Sequence, residues 1–122
     1  MVMTVSEALE KIELHDSSLD SIFIFGNGAV HIGLSLDEVW NKNIEPLPNC
    51  LILASVYEIS EFKIDRLNII GSVNVNSRPN YDMAFVTHGN DEAAVVEIEI
   101  EFVAGGILKL VCADMVELVF RK

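Results

Sequence analysis

Residues 95–111 read Val-Val-Glu-Ile-Glu-Ile-Glu-Phe-Val-Ala-Gly-Gly-Ile-Leu-Lys-Leu-Val. From Val96 to Phe102 apolar and acidic residues alternate with the period of two that places successive side chains on opposite faces of a strand. The pattern is that of a half-buried strand with Glu97, Glu99 and Glu101 on its wet face. Gly105 and Gly106 mark a reversal that needs positive φ, and the apolar pattern resumes at Ile107. A loop of Ala104 to Gly106 sets Phe102 against Leu108, Ile100 against Leu110 and Ile98 against Cys112, with Glu101 facing Lys109 on the other side. A loop of Gly105 and Gly106 alone puts Glu101 opposite Leu110, and a slip of one residue mixes the faces, which burial penalises.

Working outward, Tyr81 to His88 is a strand candidate, Gly89-Asn90-Asp91 turns the chain into the hairpin, and Met115 to Phe120 closes the sheet after a bend at Asp114. Leu19 to Phe25 and Ala29 to Leu36 flank Asn27-Gly28, a strong hairpin signal. A two-residue turn there pairs Phe25 with Val30, Phe23 with Ile32, Ser21 with Leu34 and Leu19 with Leu36 as a core face. The opposite face then carries Ile24, His31, Ile22, Gly33, Asp20 and Ser35, a mixed surface on which a second subunit or a partner could pack. Leu51 to Ile64 holds no single parity, which a bulge near Ser55 to Glu58 would reconcile, and Asn68 to Asn80 reads as an irregular edge strand. Thr4 with Glu7 forms a capping-box pattern, and Val5, Ala8, Leu9 and Ile12 recur at helical spacing, so a short amphipathic helix is expected over Val5 to Glu13. Asp37 to Asn49 is a connection with Trp40 and Leu47 as its apolar anchors and with Pro46 and Pro48 forbidding regular helix. The expected fold class is α+β: one short N-terminal helix packed on a mainly antiparallel sheet of five to seven strands, in a single domain over residues 1–122.

The chain has 19 acidic and 8 basic residues and a net charge of −11. Nucleic acid and anionic membrane are disfavoured partners, because a phosphate backbone is bound through Lys and Arg. A basic protein would be attracted and steered in; equally, the charge could serve only to keep an apolar chain dispersed. Apolar residues make up 51% of the sequence, high for a chain with so much surface to cover, and a homodimer face is the natural use of the excess. Cys50 and Cys112 lack CxxC spacing and read as two buried free thiols. Met1 to Glu10 lacks the basic start and apolar block of a signal peptide, and no apolar run reaches membrane-spanning length, so a cytoplasmic protein is expected.

His15-Asp16 is the most site-like pair, since a carboxylate beside an imidazole can orient a general base. The structural alternative has His15 capping helix carbonyls and Asp16 bonding the amides of the next turn. His31 and His88 with Asp16 or Asp91 show no metal-ligand spacing, so neither metal nor cofactor is expected. Glu97, Glu99 and Glu101, spaced about 7 Å apart along one strand face, could form a docking stripe for Lys and Arg, with Asp37, Glu38, Glu45 and Asp20 adding from elsewhere. Against this stands a solvated face paired across strands with Lys109, Lys63 or Arg66. Gly26-Asn27-Gly28 lacks the helix and basic residue of a phosphate loop and reads as a turn. No residue is assigned a catalytic role.

The segment Glu13-Leu14-His15-Asp16-Ser17-Ser18-Leu19-Asp20-Ser21-Ile22 resembles the start of small bacterial immunity-type proteins of polymorphic toxin systems. Ala54 to Ile59 and Ala113 to Leu118 stand where that pattern has further strands. The resemblance implies an acidic α+β protein that binds and neutralises a basic toxin domain, without catalysis, and His15 and Asp16 are its matching positions. The competing expectation is a small homo-oligomer with a ligand-binding or weakly acid/base pocket near His15 and Asp16.

Overall fold

A computed structural model describes residues 2–81 and 94–121. In chain order the elements are β1 (Val2–Met3), α1 (Val5–Lys11), β2 (Ser18–Ile24), β3 (Val30–Ser35), β4 (Cys50–Leu53), β5 (Val56–Ile64), β6 (Ile70–Ser77), β7 (Val95–Phe102), β8 (Gly106–Ala113) and β9 (Val116–Val119). The turn expected at 89–91, the strand expected over 81–88 beyond Tyr81, and His88 lie outside the described residues. No described helix is long and apolar enough to cross a membrane.

The described residues are mostly β with one short helix, but their strands form two antiparallel sheets instead of one. A five-stranded sheet has the order β1-β9-β4-β3-β2 and a four-stranded sheet the order β5-β8-β7-β6. The reason lies at two neighbouring corners. Ala54-Ser55 carries the chain from β4 in one sheet to β5 in the other, and Asp114-Met115 carries it back from β8 to β9. The corners are tied together, with Ala113 N donating to Ser55 O at 2.9 Å. Leu51 to Ile64 therefore keeps no single parity because it is two strands with different neighbours, and β5 itself has register shifts at Tyr57 and Ser60.

The two sheets share one apolar core, in which Leu53, Ile70, Leu108, Leu110 and Val116 are almost wholly buried. Each such side chain contributes about 1.5–3 kcal/mol relative to exposure. The helix closes one end of this core through Val5 and Ala8. Its start carries the reciprocal Thr4–Glu7 capping box, and Val5 N also donates to Asp114 Oδ1 at 2.7 Å. The helix ends at Lys11, two residues earlier than its spacing suggests, and extended Ile12 still donates its N–H to Ala8 O. A cavity of about 20 Å³ left between sheets and helix is walled by apolar side chains such as Leu34, Leu51, Ile98 and Val116.

The 95–111 hairpin forms with the expected faces but a shifted register. Ile100 opposes Leu108, Ile98 opposes Leu110, and Glu99, not Glu101, faces Lys109. The loop is Val103 to Gly105, closed by Gly105 N donating to Phe102 O at 3.1 Å. The shift of two residues preserves burial, so alternation alone does not select it. What selects it is the neighbouring chain. Gly106 already lies in β8 opposite Ile64, where a Cβ would stand 2.2 Å from Lys63 O. Its φ is +105° and that of Gly105 is +102°, both suited to glycine.

The 19–36 hairpin departs further. Phe25 N donates to Ala29 O at 2.9 Å, which makes the loop Gly26-Asn27-Gly28 one residue longer than a two-residue turn. Ile22 then pairs with Ile32 and Phe23 with His31, so the slip turns Phe23 outward and Ile22 inward. A bulge at Asp20 restores Leu19 to the core opposite Leu34. Phe23 is consequently 62% exposed and Phe25 45%, whereas a core face was expected to bury both.

Candidate functional site

The segment from Glu13 to Ser17 leaves the helix and lies across the start of β6 (Ile70–Ser77). Leu14 enters the core. Asp16 N donates to Ile70 O at 2.9 Å, and Ile70 N donates to Ser17 O at 2.8 Å. Asp16 has φ +66°, a left-handed conformation that Asp tolerates better than most residues. Ser17 is buried, and its hydroxyl accepts from Asp37 N at 2.9 Å. Leu14, Asp16 and Ser17 thus each have a structural task.

The second part of the surface is the turn after β3. Asp37 Oδ1 accepts from Val39 N at 2.9 Å and from Trp40 N at 3.1 Å, which closes the turn. Asn41, buried at 3% exposure, clamps it to the first segment. Its Nδ2 donates to Glu13 O (2.9 Å) and Asp37 O (2.8 Å), and its Oδ1 accepts from Glu13 N (2.8 Å). Trp40 is not the apolar anchor its type suggests. Asn41 takes the inward position with Ile44 and Leu47 packed on the core, and Trp40 stands 55% exposed beside Val39 at 76%.

Trp40 is held where it stands. Its Nε1 donates to Asp16 Oδ2 at 3.1 Å, and its ring meets His15 edge-on with centroids 5.6 Å apart. His15 Nδ1 lies 2.9 Å from Gly71 O and Nε2 lies 3.5 Å from Asp16 Oδ1. The Gly71 carbonyl can only accept, so Nδ1 carries a proton; Nε2 then meets the carboxylate favourably only when it is protonated too. The His15 pKa is accordingly raised, first by the Gly71 carbonyl, which desolvation opposes, and further by the charges of Asp16, Glu13 and Asp37. The His15 imidazole is thus held between the Gly71 carbonyl and the Asp16 carboxylate. It contributes neither capping of helix carbonyls nor, in Asp16, bonding to the next turn's amides; the partners are Gly71 O and Trp40 Nε1.

Shallow grooves flank this surface. One of about 190 Å³ runs past His15 between Leu9, Glu13 and Val73, and one of about 230 Å³ lies on the other side by Trp40, Lys11 and Ile44. Both are smaller than the ~300–1,000 Å³ of small-molecule pockets. A third, of about 470 Å³, lies between Glu38, Lys42 and Phe120. Among the described residues no group of three His, Cys, Asp or Glu side chains could hold a metal ion. Cys50 and Cys112 are buried free thiols.

The glutamate stripe lies elsewhere, on the outer face of the four-stranded sheet. Glu97 pairs with Arg78 at 2.6 Å, and Lys109 sits between Glu99 (3.8 Å) and Glu61 (3.9 Å). Glu101 is exposed, with Ser72 Oγ at 3.5 Å. Of the acidic residues singled out from the sequence, Asp37 and Glu38 belong with Asp16 near Trp40, and the stripe does not. The two residues that sequence reasoning missed are Asn41 and the exposed Trp40. The chain matches no protein-family model, and no curated protein or solved structure gives a significant match to it.

Proposed function

We propose that this protein is a non-catalytic binding module that docks a basic protein through the surface around Trp40. The observation that carries the reading is an exposed tryptophan held in one orientation by Asp16, His15 and the Asn41 clamp, within an acidic setting. Tryptophan is enriched among residues that dominate binding energy, and holding it fixed before binding reduces the ordering cost. Asp16 touches the ring and Asp37, Glu38 and Glu13 lie on the two segments that carry it, so an apolar cleft rimmed by Lys and Arg is the complementary shape. An immunity protein that holds a basic toxin domain is the concrete form the resemblance at Leu14 to Ser17 gives this reading. Glu97 and Glu99, already paired with cations, are secondary to the Trp40 surface, and Glu101 can add long-range attraction.

The test is a parallel capture with wild type and Trp40→Ala at low salt, each eluted by a salt gradient. A basic protein should be retained by wild type and lost by the variant, and its association with purified protein should slow as salt rises. Equal retention by both proteins, or association insensitive to salt, would overturn the assignment.

A further inference from the structure

A different surface, independent of the one around Trp40, concerns the edge of the five-stranded sheet. β2 ends that sheet. Its first residues are covered, since Leu19 N donates to Asn68 O at 3.0 Å and Asn68 Nδ2 to Leu19 O at 2.9 Å. Beyond the bulge at Asp20, no strand among the described residues pairs with its far side. The Phe25–Ala29 bond sets the phase of the β2–β3 ladder, so Ser21 and Phe23 turn their backbone groups to β3. The amides and carbonyls of Ile22 and Ile24 therefore point out from the open edge.

Natural edges are usually blunted by charge or proline. This one is not. From Ser21 to Ser35 there is no Asp, Glu, Lys or Arg. The nearest carboxylate, Asp20, is occupied by the hydroxyls of Ser18 and Ser35. By contrast β5, an edge of the other sheet, carries Glu58, Glu61 and Lys63. On β2 and just past it, Phe23, Ile24 and Phe25 are 62%, 67% and 45% exposed. Two chains each of charge −11 repel one another over most of their surface. The open edge carries no charge of its own and exposes three large apolar side chains in a row.

We infer that two copies of this chain pair through their β2 edges, antiparallel about a two-fold axis, joining two five-stranded sheets into one of ten strands. With the axis at Phe23, Ile22 of each copy exchanges both backbone bonds with Ile24 of the other, and the two Phe23 rings meet in a close, non-hydrogen-bonded pair. Such an interface is self-complementary, as a two-fold contact requires. Three half-exposed side chains per copy supply roughly 350 Å² of apolar area, taking 150–250 Å² for a whole aromatic residue. That is below the ~800 Å² per partner of a standard-size stable interface, so the dimer should form reversibly with concentration.

Sedimentation equilibrium of the full chain over a wide concentration range tests this. The wild type should pass from monomer to dimer mass and go no further. Ile24→Pro removes an outward donor without touching the β3 ladder, a placement proline accepts at an edge. That variant and Phe23→Lys should stay monomeric with an unchanged circular dichroism spectrum, and Phe62→Lys on β5 should dimerise like the wild type. A wild type that remains monomeric, that grows beyond a dimer, or whose dimer survives both β2 substitutions overturns the inference.

Discussion

Replacing Asn41 by Ala should separate the turn that presents Trp40 from the segment that supports it. The side chain makes three hydrogen bonds, two from Nδ2 to the carbonyls of Glu13 and Asp37 and one from Glu13 N to Oδ1, all of 2.8–2.9 Å and all at a buried position. Each is worth about 1 kcal/mol net, and the Glu13 amide loses its partner in a site that water enters poorly. Two losses are softened, because Glu13 O still accepts from Ser17 Oγ at 3.4 Å and Asp37 O from Asn41 N at 3.2 Å. The sum is a destabilisation of about 2–3 kcal/mol, or a Tm lowered by roughly 10 °C for a chain of this size. Urea unfolding followed by circular dichroism and by fluorescence measures it. Trp40 is the only tryptophan, so the fluorescence reports from the turn itself. Asn41→Asp keeps the acceptor for Glu13 N but sets carboxylate oxygens against two carbonyls, and should be at least as damaging. A loss under about 1 kcal/mol in Asn41→Ala, where three bonds of this kind are removed, or an Asn41→Asp variant as stable as wild type, would refute the reasoning.

Gly106→Ala combines a φ of +105° with a Cβ driven against the Lys63 carbonyl, and should cost at least 2 kcal/mol in the same urea experiment. Asp114→Ala removes the acceptor for Val5 N and should cost about 1 kcal/mol, read as a lowered urea midpoint. Burial pushes the Cys112 thiol up to about 12 and raises Cys50 as well, the latter opposed by Arg121; a thiol reagent at mildly alkaline pH should find neither until the chain unfolds, and prompt reaction of native protein would count against this packing. In an NMR titration His15 should titrate above 6.5, chiefly through the Gly71 carbonyl, and His31 below it, through burial and then Arg121. By linkage the His15 contribution to stability is complete below pH 6.5 and lost as pH rises through its raised pKa, whereas His31 costs stability as pH falls from 6.5 through its lowered one.

Local pattern carries what local physics decides. The alternation from Val96 to Phe102 shows which residues are buried because each strand face meets one environment, and the Thr4–Glu7 cap is visible because both its bonds lie within one turn. The corners at Ala54-Ser55 and Asp114-Met115 are not visible in this way. Nothing in those dipeptides distinguishes a bulge from a change of sheet; the difference is which strand waits on the other side. Hairpin registers fail for a related reason. Asn27-Gly28 announces a turn, but one more loop residue reverses the fate of Phe23, and the Asp20 bulge reverses it again for Leu19. At the candidate site His15 and Asp16 stand out as a pair, yet Asn41 is one asparagine among several in its loop. Its burial, and hence the exposure of Trp40, follows only from where Glu13 lies in space.

The bond from Val5 N to Asp114 Oδ1 spans 109 residues. In synthesis α1 precedes by 109 residues the Asp114 side chain that takes its Val5 amide, and β1 likewise precedes Val116, the partner of Met3. Until residues 114–117 emerge, Val5 and Ala8 have no finished core end to close, and a seven-residue helix is too short to persist alone. The segment Val2–Lys11 therefore lacks these partners until residues 114–117 are made, and a chain cut before Asp114 leaves that helix without them.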